Sequence, residues 1–196
     1  MGYIEGFVCA VPAANKEIYR RHAAEASPIF KEFGVTRHVE AWGDDVPDGK
    51  LTDFRRAVQA REDEVVVFSW FEYPSRAVRD AANQKIATDP RMQKAGETMP
   101  FDGKRMIWAG FATLVDSGSG GKAGYVDGVV ASVPAGKQEA YRSFAAHHAE
   151  LFRAHGAIRV LDAWGDDVPD GKVTDFKGAV QAAPEEKGVF GWVEWP

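Results

Sequence analysis

The chain is one sequence written almost twice. Residues 3–74 align without a gap with residues 125–196, at a constant offset of 122. The longest identical block, residues 41–50, recurs unchanged at 163–172, and roughly half of the other aligned positions match or nearly match. A repeat of this length indicates that one folding unit was duplicated and fused. Both copies are therefore expected to adopt the same local structure.

The duplication divides the chain into two unequal units. We predict a first domain over 1–116, a flexible linker rich in glycine and serine over 117–124, and an incomplete second domain over 125–196. Domains of about 100 residues are large enough to form their own hydrophobic cores. Residues 75–116 have no counterpart in the second copy. We expect either that the natural chain continues past Pro196 with such a segment, or that a neighbouring chain covers the gap.

Composition restricts the kinds of partner. The chain has 24 basic and 29 acidic side chains, a formal charge of −5, and no block of lysine or arginine suited to a phosphate backbone or an anionic lipid surface. We therefore expect neither nucleic acid nor a membrane as a partner. The longest apolar run, residues 65–71, is far shorter than the roughly 20 residues that cross a bilayer. Glu5 lies where a secretion signal carries basic residues, and Cys9 is the only cysteine, so we expect a cytoplasmic protein without an internal disulfide.

Strands and helices alternate in the prediction. Residues 3–11 are apolar on both alternating faces, as in a strand covered on both sides. In residues 13–33 the apolar residues recur at three- and four-residue steps, which predicts one helix that is kinked at Pro28 and ends at Gly34. The other predicted elements of the first copy are a strand over 35–42, a hairpin turn over 46–50, a short strand near 53–59, a strand over 64–73, a helix capped by Ser75 with a stripe of Val78, Ala82 and Ile86, and a strand over 106–115.

This order predicts an α+β fold. Apart from the extra hairpin strand it reads βαββαβ, the ferredoxin-like arrangement in which two helices cover one face of an antiparallel sheet. Because the strands are apolar on both faces, the uncovered face must pack against another such sheet. We therefore expect ferredoxin-like repeats whose sheets pack face to face as a dimeric α/β barrel. The barrel would close between the two repeats or in a homodimer.

Several segments of the first copy carry a family resemblance. They are residues 3–8, 46–50, 72–75, 79–83 and 99–106. Together they resemble the YbaA-like family of uncharacterised bacterial proteins, also described as a domain of unknown function 1428. Members of that family are similar to dimeric α/β barrels, so the resemblance implies the fold reached above. It implies no activity, and a second copy of the unit is a departure from the single-domain pattern of the family.

Three carboxylates recur as acids in both copies. Because an unpaired acid among apolar strand neighbours is costly to bury, such groups could line a polar cavity and acquire pKa values suited to proton transfer. The alternative is structural, with each acid paired to Arg37, Arg55 or Arg105 at the strand ends. The candidate catalytic residues are Glu5, Glu40 and Glu72, and their counterparts in the second copy are Asp127, Asp162 and Glu194.

Two tryptophans recur as well. An indole can form the wall of an apolar ligand pocket while its N–H orients a polar atom. The alternative is plain packing in the core, because an indole buries a large apolar area. The candidate ligand-binding residues are Trp42, Trp164, Trp70 and Trp192, together with Asp127, Asp162 and Glu194.

No metal and no cofactor are expected. The acidic turn formed by Asp44, Asp45, Asp48 and Asp53 lacks the alternating acids and terminal glutamate of a calcium loop. None of the five histidines has a histidine at its aligned position, so a site shared by both copies cannot use one. His38 is retained only as a candidate base in the first copy. Glycine-rich nucleotide motifs, hydrolase elbows and zinc-protease motifs are absent from the sequence.

Three functions are compatible with these residues. The first is binding or conversion of a small organic molecule in a cavity between sheet and helices, as in cofactor-free oxygenases or isomerases of similar architecture. The second is a non-catalytic binding or assembly module, in which the repeat forms a self-contained barrel. The third, much weaker, is RNA binding through aromatic residues of the first and third core strands, Tyr3, Phe7, Phe68 and Trp70, although the RNP1 pattern is missing. Whether the protein is an enzyme is left open.

Overall fold

A computed structural model describes residues 2–196 of the chain. The strands are β1 (Tyr3–Pro12), β2 (Arg37–Trp42), β3 (Glu64–Tyr73), β4 (Ile107–Gly118), β5 (Tyr125–Pro134), β6 (Arg159–Asp167) and β7 (Glu186–Trp195). The α-helices are α1 (Lys16–Glu32), α2 (Phe54–Ala57), α3 (Arg76–Thr88), α4 (Pro90–Glu97), α5 (Gln138–Ala154) and α6 (Phe176–Ala179). The predicted strands and long helices of the first copy are therefore present, and α4 is an addition that the periodicity did not indicate.

Local chemistry accounts for where the helices begin and end. The backbone N–H of Val78 donates to the Ser75 hydroxyl at 3.3 Å, which caps α3. The segment before α1 is a 3₁₀ turn rather than α-helix, and Pro28 lies inside α1. Gly34 follows α1 with a φ of +113°, a left-handed conformation that glycine adopts without steric cost. The helix therefore ends where the sequence predicted.

The extra hairpin strand near residues 53–59 was a wrong prediction. Residues 54–57 form the short helix α2 instead. The carboxylate of Asp53 accepts the backbone N–H of Arg56 at 2.7 Å and that of Gly49 at 3.2 Å. By satisfying an N–H group that has no partner within a first helical turn, Asp53 favours the helix over an extended chain. The second copy repeats this arrangement, with Asp175 capping α6.

The seven strands found in the described part of the chain form one antiparallel sheet. Their order is β2-β3-β1-β4-β6-β7-β5. Within each copy the pairing is that of the predicted ferredoxin-like unit. Strand β4 closes the first unit against β1 and also pairs along its length with β6 of the second unit. The two copies are thus joined edge to edge through the last strand of the first copy.

The sheet curls so that its two halves face each other. The rings of Phe68 and Phe190 stack with centroids 4.5 Å apart and planes inclined by 2°. Trp70 and Trp192 stack at 4.1 Å. Each pair joins the two copies, because it consists of one residue from the first copy and its equivalent in the second, at the offset of 122. The uncovered faces of the two copies therefore pack against each other within one chain. The sheet is curled but not closed, since β2 and β5 lie at its two ends.

The second unit is less completely covered than the first. In the first unit α1 and α3 lie on the outer face of the sheet, whereas in the second only α5 does. Tyr125 and Val129 on the outer face of β5 are consequently 41% and 48% exposed. Within residues 2–196, β5 pairs only with β7 and β2 only with β3, so these two strands are the edges of the sheet. Among residues 2–196, no helix combines the length and apolar character needed to cross a bilayer.

An ion pair at one end of β3 predicts acid sensitivity. Arg105 donates to both carboxylate oxygens of the buried Glu64, at 2.6 and 2.7 Å. These bonds lower the pKa of Glu64 from 4.5 to about 2. Because the folded-state pKa lies below the unfolded value, the stabilisation is complete above the unfolded pKa and is lost as the pH falls through the folded one.

We expect Glu64→Gln to be less stable than the wild type at pH 7, with a difference that shrinks between pH 4.5 and 2, where the wild-type carboxylate becomes protonated. Urea unfolding across this pH range measures the difference. The exposed neighbour Glu62 supplies the control, since the stability of Glu62→Gln should run parallel to the wild type. A difference that stays constant down to pH 2 would contradict the assignment.

Candidate functional site

Reciprocal ion pairs join the two copies inside the barrel. Arg37 of the first copy donates to both carboxylate oxygens of Glu194, at 2.6 and 2.8 Å. Its equivalent Arg159 donates to both oxygens of Glu72, at 2.7 and 3.0 Å, and also to Asp116. Each arginine therefore crosses to the carboxylate of the other copy. Such bidentate pairs combine charge with fixed geometry and hold the two halves in register.

The central tryptophans belong to the same arrangement. Trp70 and Trp192 donate their indole N–H to Glu72 and Glu194, at 3.1 and 2.9 Å. Burial raises the pKa of Glu194, but hydrogen bonds from Arg37 and Trp192 outweigh it and leave the pKa below its ordinary value. Both carboxylates therefore have their oxygens occupied by hydrogen bonds from arginine and tryptophan. The structure places these residues, with Trp70 and Trp192, in the packed interior rather than in a ligand cavity.

Glu5 occupies a different buried position, against α3. Its carboxylate accepts hydrogen bonds from Asn83 at 2.9 Å and from Tyr73 at 3.3 Å, and the guanidinium of Arg79 lies 3.8 Å away. Burial raises the pKa of Glu5, and these partners only partly offset it. Its counterpart Asp127 lies on the exposed outer face of β5 and accepts the indole N–H of Trp195 at 2.7 Å. The two positions therefore share a residue type and not an environment.

Glu40 alone among the three candidate catalytic acids faces a cleft. The cleft lies between α1 and β2, has a volume of about 290 Å³ and is lined by Tyr19, Glu40 and Trp42 among others. The Tyr19 hydroxyl donates to one carboxylate oxygen at 2.6 Å, and His38 Nε2 donates to the other at 2.7 Å. The side chain of Glu40 is still 26% exposed, whereas that of His38 is buried. Glu40 can therefore accept a further hydrogen bond, and His38 serves to orient it.

The second copy repeats the core of this arrangement. Tyr141 donates to Asp162 at 2.7 Å, and its ring lies 6.2 Å from that of Trp164. Tyr19 and Trp42 are separated by the same 6.2 Å in the first copy. The copies differ at the histidine, since the counterpart of His38 is Val160. The combination of tyrosine, carboxylate and tryptophan is thus common to both, and the histidine is specific to the first.

Protonation states follow from the burial of these groups. Burial and the adjacent Glu40 charge raise the pKa of Tyr19 above its ordinary value, so the phenol remains a donor. Burial likewise raises the pKa of Asp162. The Cys9 thiol, 4.0 Å from the Tyr19 hydroxyl, has its pKa raised to about 12 by burial and by the Glu40 charge. It is therefore a neutral thiol at physiological pH and not a nucleophile.

Sequence reasoning missed the tyrosines. Tyr19 entered only as part of the predicted helix over 13–33, and Tyr141 was not considered, although the two are equivalent at the offset of 122 and therefore recur like the carboxylates. It also missed Arg79 and Arg159 as partners of the buried acids. The predicted partner Arg55 donates to backbone carbonyls instead, and Arg105 pairs with Glu64. Among residues 2–196, no group of three or more histidine, cysteine or acidic side chains is placed to hold a metal ion.

Two antiparallel ferredoxin-like units joined into one curled sheet define the fold class as a barrel-like α+β protein. Solved structures share this fold at low sequence identity. A protein from Fusobacterium nucleatum, provisionally described as a monooxygenase, superposes with a TM-score of 0.52 at 9% identity and covers 98% of this chain and 75% of its own. A similarly described protein from Lactobacillus acidophilus gives a TM-score of 0.53 at 10% identity, covering 98% and 76%. At such identities the likeness shows the fold alone.

The chain belongs to the family described as "Protein of unknown function (DUF1428)", whose profile matches residues 2–103 and 124–196. The uncharacterised protein YbaA of Escherichia coli K12 is 65% identical over 116 residues, which are 59% of this chain and 99% of that protein. The YbaA protein of Shigella flexneri matches equally well. The family resemblance found in the sequence is therefore confirmed, and the function of the family is uncharacterised.

Proposed function

We propose that this protein binds a small organic molecule in the cleft between α1 and β2, with Glu40 as the polar contact. The observation that carries the proposal is the partly exposed Glu40 carboxylate in a cleft that Tyr19 and Trp42 also line. An ionised carboxylate only accepts hydrogen bonds, so it selects a ligand with a hydroxyl or amine donor. Two aromatic walls favour a flat apolar body. A cleft of about 290 Å³ suits a molecule of few atoms.

The same geometry supports proton transfer as the finer form of this function. Tyr19 and His38 hold the two oxygens of Glu40 in a fixed orientation. A positioned carboxylate within hydrogen-bond reach of a bound molecule can act as a general base. The buried Cys9 thiol is not required for this step. Glu5 and Glu72 are excluded from the proposal because their oxygens are occupied by partners in the interior.

Thermal-shift screening with a panel of small aromatic alcohols and amines tests the proposal. We expect at least one compound to raise the melting temperature of the wild type, because a ligand that binds only the folded state stabilises it. Glu40→Gln should weaken the binding of that compound by about tenfold or more, since a hydrogen bond to a charged group contributes about 1.5–3 kcal/mol. Isothermal titration of both proteins provides the affinities.

Two further variants serve as controls. Glu62→Gln changes an exposed acid outside the cleft and should leave the affinity unchanged. Asp162→Asn reports on the equivalent position of the second copy and should lower the stoichiometry only if that copy also binds. Equal affinity in Glu40→Gln and the wild type would place the ligand elsewhere and refute the proposal.

Assembly is the second candidate function, favoured by the crossed arginine–glutamate pairs. Arg37 with Glu194 and Arg159 with Glu72 are ion pairs between the two repeats of one chain. This arrangement supports a module built for its own closure, as an alternative to ligand binding. Base stacking on β3 has no structural support, because Phe68 and Trp70 are buried in the barrel. We also propose a cytoplasmic location, supported by the single unpaired Cys9.

A further inference from the structure

A groove opens between the two edge strands of the sheet. It has a volume of about 930 Å³ and runs between β2 and β5. Its inner wall is apolar and includes Phe54, Phe68 and Val126. Both rims are sheet edges. Among the residues that the structure describes, each rim strand pairs with one neighbour, so its other side presents backbone groups that a further strand could pair with. The groove runs along the whole of β2, and its lining includes Glu40, which also lines the cleft beside α1.

The repeat shows what fits such a groove. In the first unit β4 lies between β1 and β6, paired to both. At the offset of 122, β1 corresponds to β5 and β6 corresponds to β2. The groove between β5 and β2 is therefore the second occurrence of the position that β4 fills on the other side. A strand placed there would pair with both rims.

The aromatic residues of the groove match those that hold β4. Phe111 of β4 packs against Phe176 and Phe190, at 5.3 and 5.2 Å. Those two rings are 5.9 Å apart at an interplanar angle of 80°. Their equivalents Phe54 and Phe68 line the groove 5.7 Å apart, also at 80°. The pair of rings that receives a phenylalanine on the occupied side is thus present in the same geometry on the open side.

An ion pair of the first copy also indicates that a strand like β4 would fit the groove. Arg105, which precedes β4, pairs with the buried Glu64 at 2.6 Å. The equivalent of Glu64 is Glu186, whose carboxylate accepts the Ala183 N–H at 2.8 Å as Glu64 accepts the N–H of Arg61. Within the part of the chain that the structure describes, Glu186 has no arginine partner. A strand preceded by an arginine would supply it.

We propose that this groove is a docking site for an extended strand with the β4 pattern, supplied by a separate polypeptide. The strand would carry small or apolar residues facing inward, a phenylalanine between Phe54 and Phe68, and an arginine near Glu186. The β1–β4 register sets Ile4 opposite Phe111 and Val8 opposite Ile107. By the offset, the inserted phenylalanine lies opposite Val126 of β5. Backbone pairing supplies affinity and the alternate side chains supply specificity.

A synthetic peptide with the sequence of residues 104–118 is the probe. Labelled with a fluorophore and titrated with the intact chain, it should show saturable binding at one peptide per chain in fluorescence anisotropy. The Phe111→Ala peptide should bind at least about tenfold more weakly, because it leaves the space between two rings empty. Absence of binding by the parent peptide, or equal binding by both peptides, overturns the proposal.

Cross-linking distinguishes the groove from displacement of the chain's own β4. Ala112 of β4 lies opposite Tyr3 on one side and Trp164 on the other. A photoreactive residue at that position of the peptide should label the equivalents Tyr125 and Trp42. Labelling of Tyr3 and Trp164 instead would mean that the peptide replaces β4, and the proposal would fail.

The predicted ion pair is tested by changing one charge in the protein and one in the peptide. Glu186→Gln should weaken the parent peptide by about tenfold but leave an Arg105→Gln peptide unaffected, since the two changes remove the same ion pair. Additive effects would exclude that pairing. Sedimentation of the chain alone tests whether a second copy of the chain occupies the groove instead. A dimer that the peptide cannot dissociate would show that it does.

Discussion

Replacing Glu194 by alanine is expected to lower the free energy of unfolding by about 3–5 kcal/mol. Glu194 is 0% exposed and accepts two hydrogen bonds from Arg37 and one from Trp192. Its removal leaves the indole N–H of Trp192 without this acceptor. It also removes one of the carboxylates that neutralise Arg37 and Arg159, which then share Glu72. The cost is that of leaving charges and donors buried and unpaired, which exceeds the net value of the intact pair. Urea denaturation at pH 7 measures it.

An exposed pair of similar geometry provides the control. Arg91 donates to both oxygens of Glu32, at 3.0 and 3.3 Å, but both side chains are at least half exposed. Glu32→Ala should therefore cost no more than about 1 kcal/mol. Equal losses in the two variants would contradict the role given to burial.

The double variant Arg37→Met with Glu194→Met separates charge from packing. Because it removes both members of the pair and keeps apolar volume, we expect it to lose less stability than the sum of the single replacements. Additive losses would show that the two side chains act independently. In that case the crossed pairs would not be what aligns the repeats.

Replacing Phe190 by alanine is expected to cost about 3–5 kcal/mol as well, for an apolar reason. Its fully buried ring stacks on Phe68 at 4.5 Å and contacts Phe111 and Phe176 at 5.2 and 5.9 Å. Removing it opens a cavity where the two copies meet. Thermal and chemical unfolding give the loss. Phe144→Ala on α5, whose ring is 55% exposed, is the matched control and should change stability by less than about 1 kcal/mol.

A methyl group added next to Phe190 tests the same contact by overpacking. A Cβ added at Gly6 would lie 2.7 Å from the ring of Phe190, which cannot move in the stack. Gly6→Ala should therefore destabilise the protein by about 1–3 kcal/mol. The same change made in a Phe190→Leu background should cost less, because the smaller side chain leaves room. An equal cost in both backgrounds would mean that the ring is not the obstacle.

Much of the fold could be predicted because it depends on local patterns. The apolar alternation of residues 3–11 predicted β1, observed as Tyr3–Pro12, and the cap at Ser75 predicted the start of α3. The strand near residues 53–59 was wrong because a side-chain cap by Asp53 competes with extension over so short a segment. Helix α4 was not predicted because it is short and has no buried residue to produce a periodic stripe.

The candidate site could be predicted only in part. Recurrence at the offset of 122 singled out Glu40, which faces a cleft, together with Glu5 and Glu72, which are enclosed by partners. All three appear equivalent in sequence, since each is an acid in a strand. Their difference arises from partners distant in the chain, such as Arg159 for Glu72. No local pattern contains that information.

The duplication, the order of strands and helices, and the apolar faces that require a second sheet could be predicted, because they follow from repetition and from side-chain periodicity. How the copies join, which acids are neutralised and which strand edges are left open depend on the three-dimensional arrangement. Arg37 donates to Glu72 of its own copy at 3.3 Å, but the curl of the sheet brings Glu194 of the other copy closer, to 2.6 Å. The same curl separates β2 from β5 and leaves the groove between them. Charge compensation and edge pairing depend on distances between residues far apart in the chain, and folding alone sets those distances.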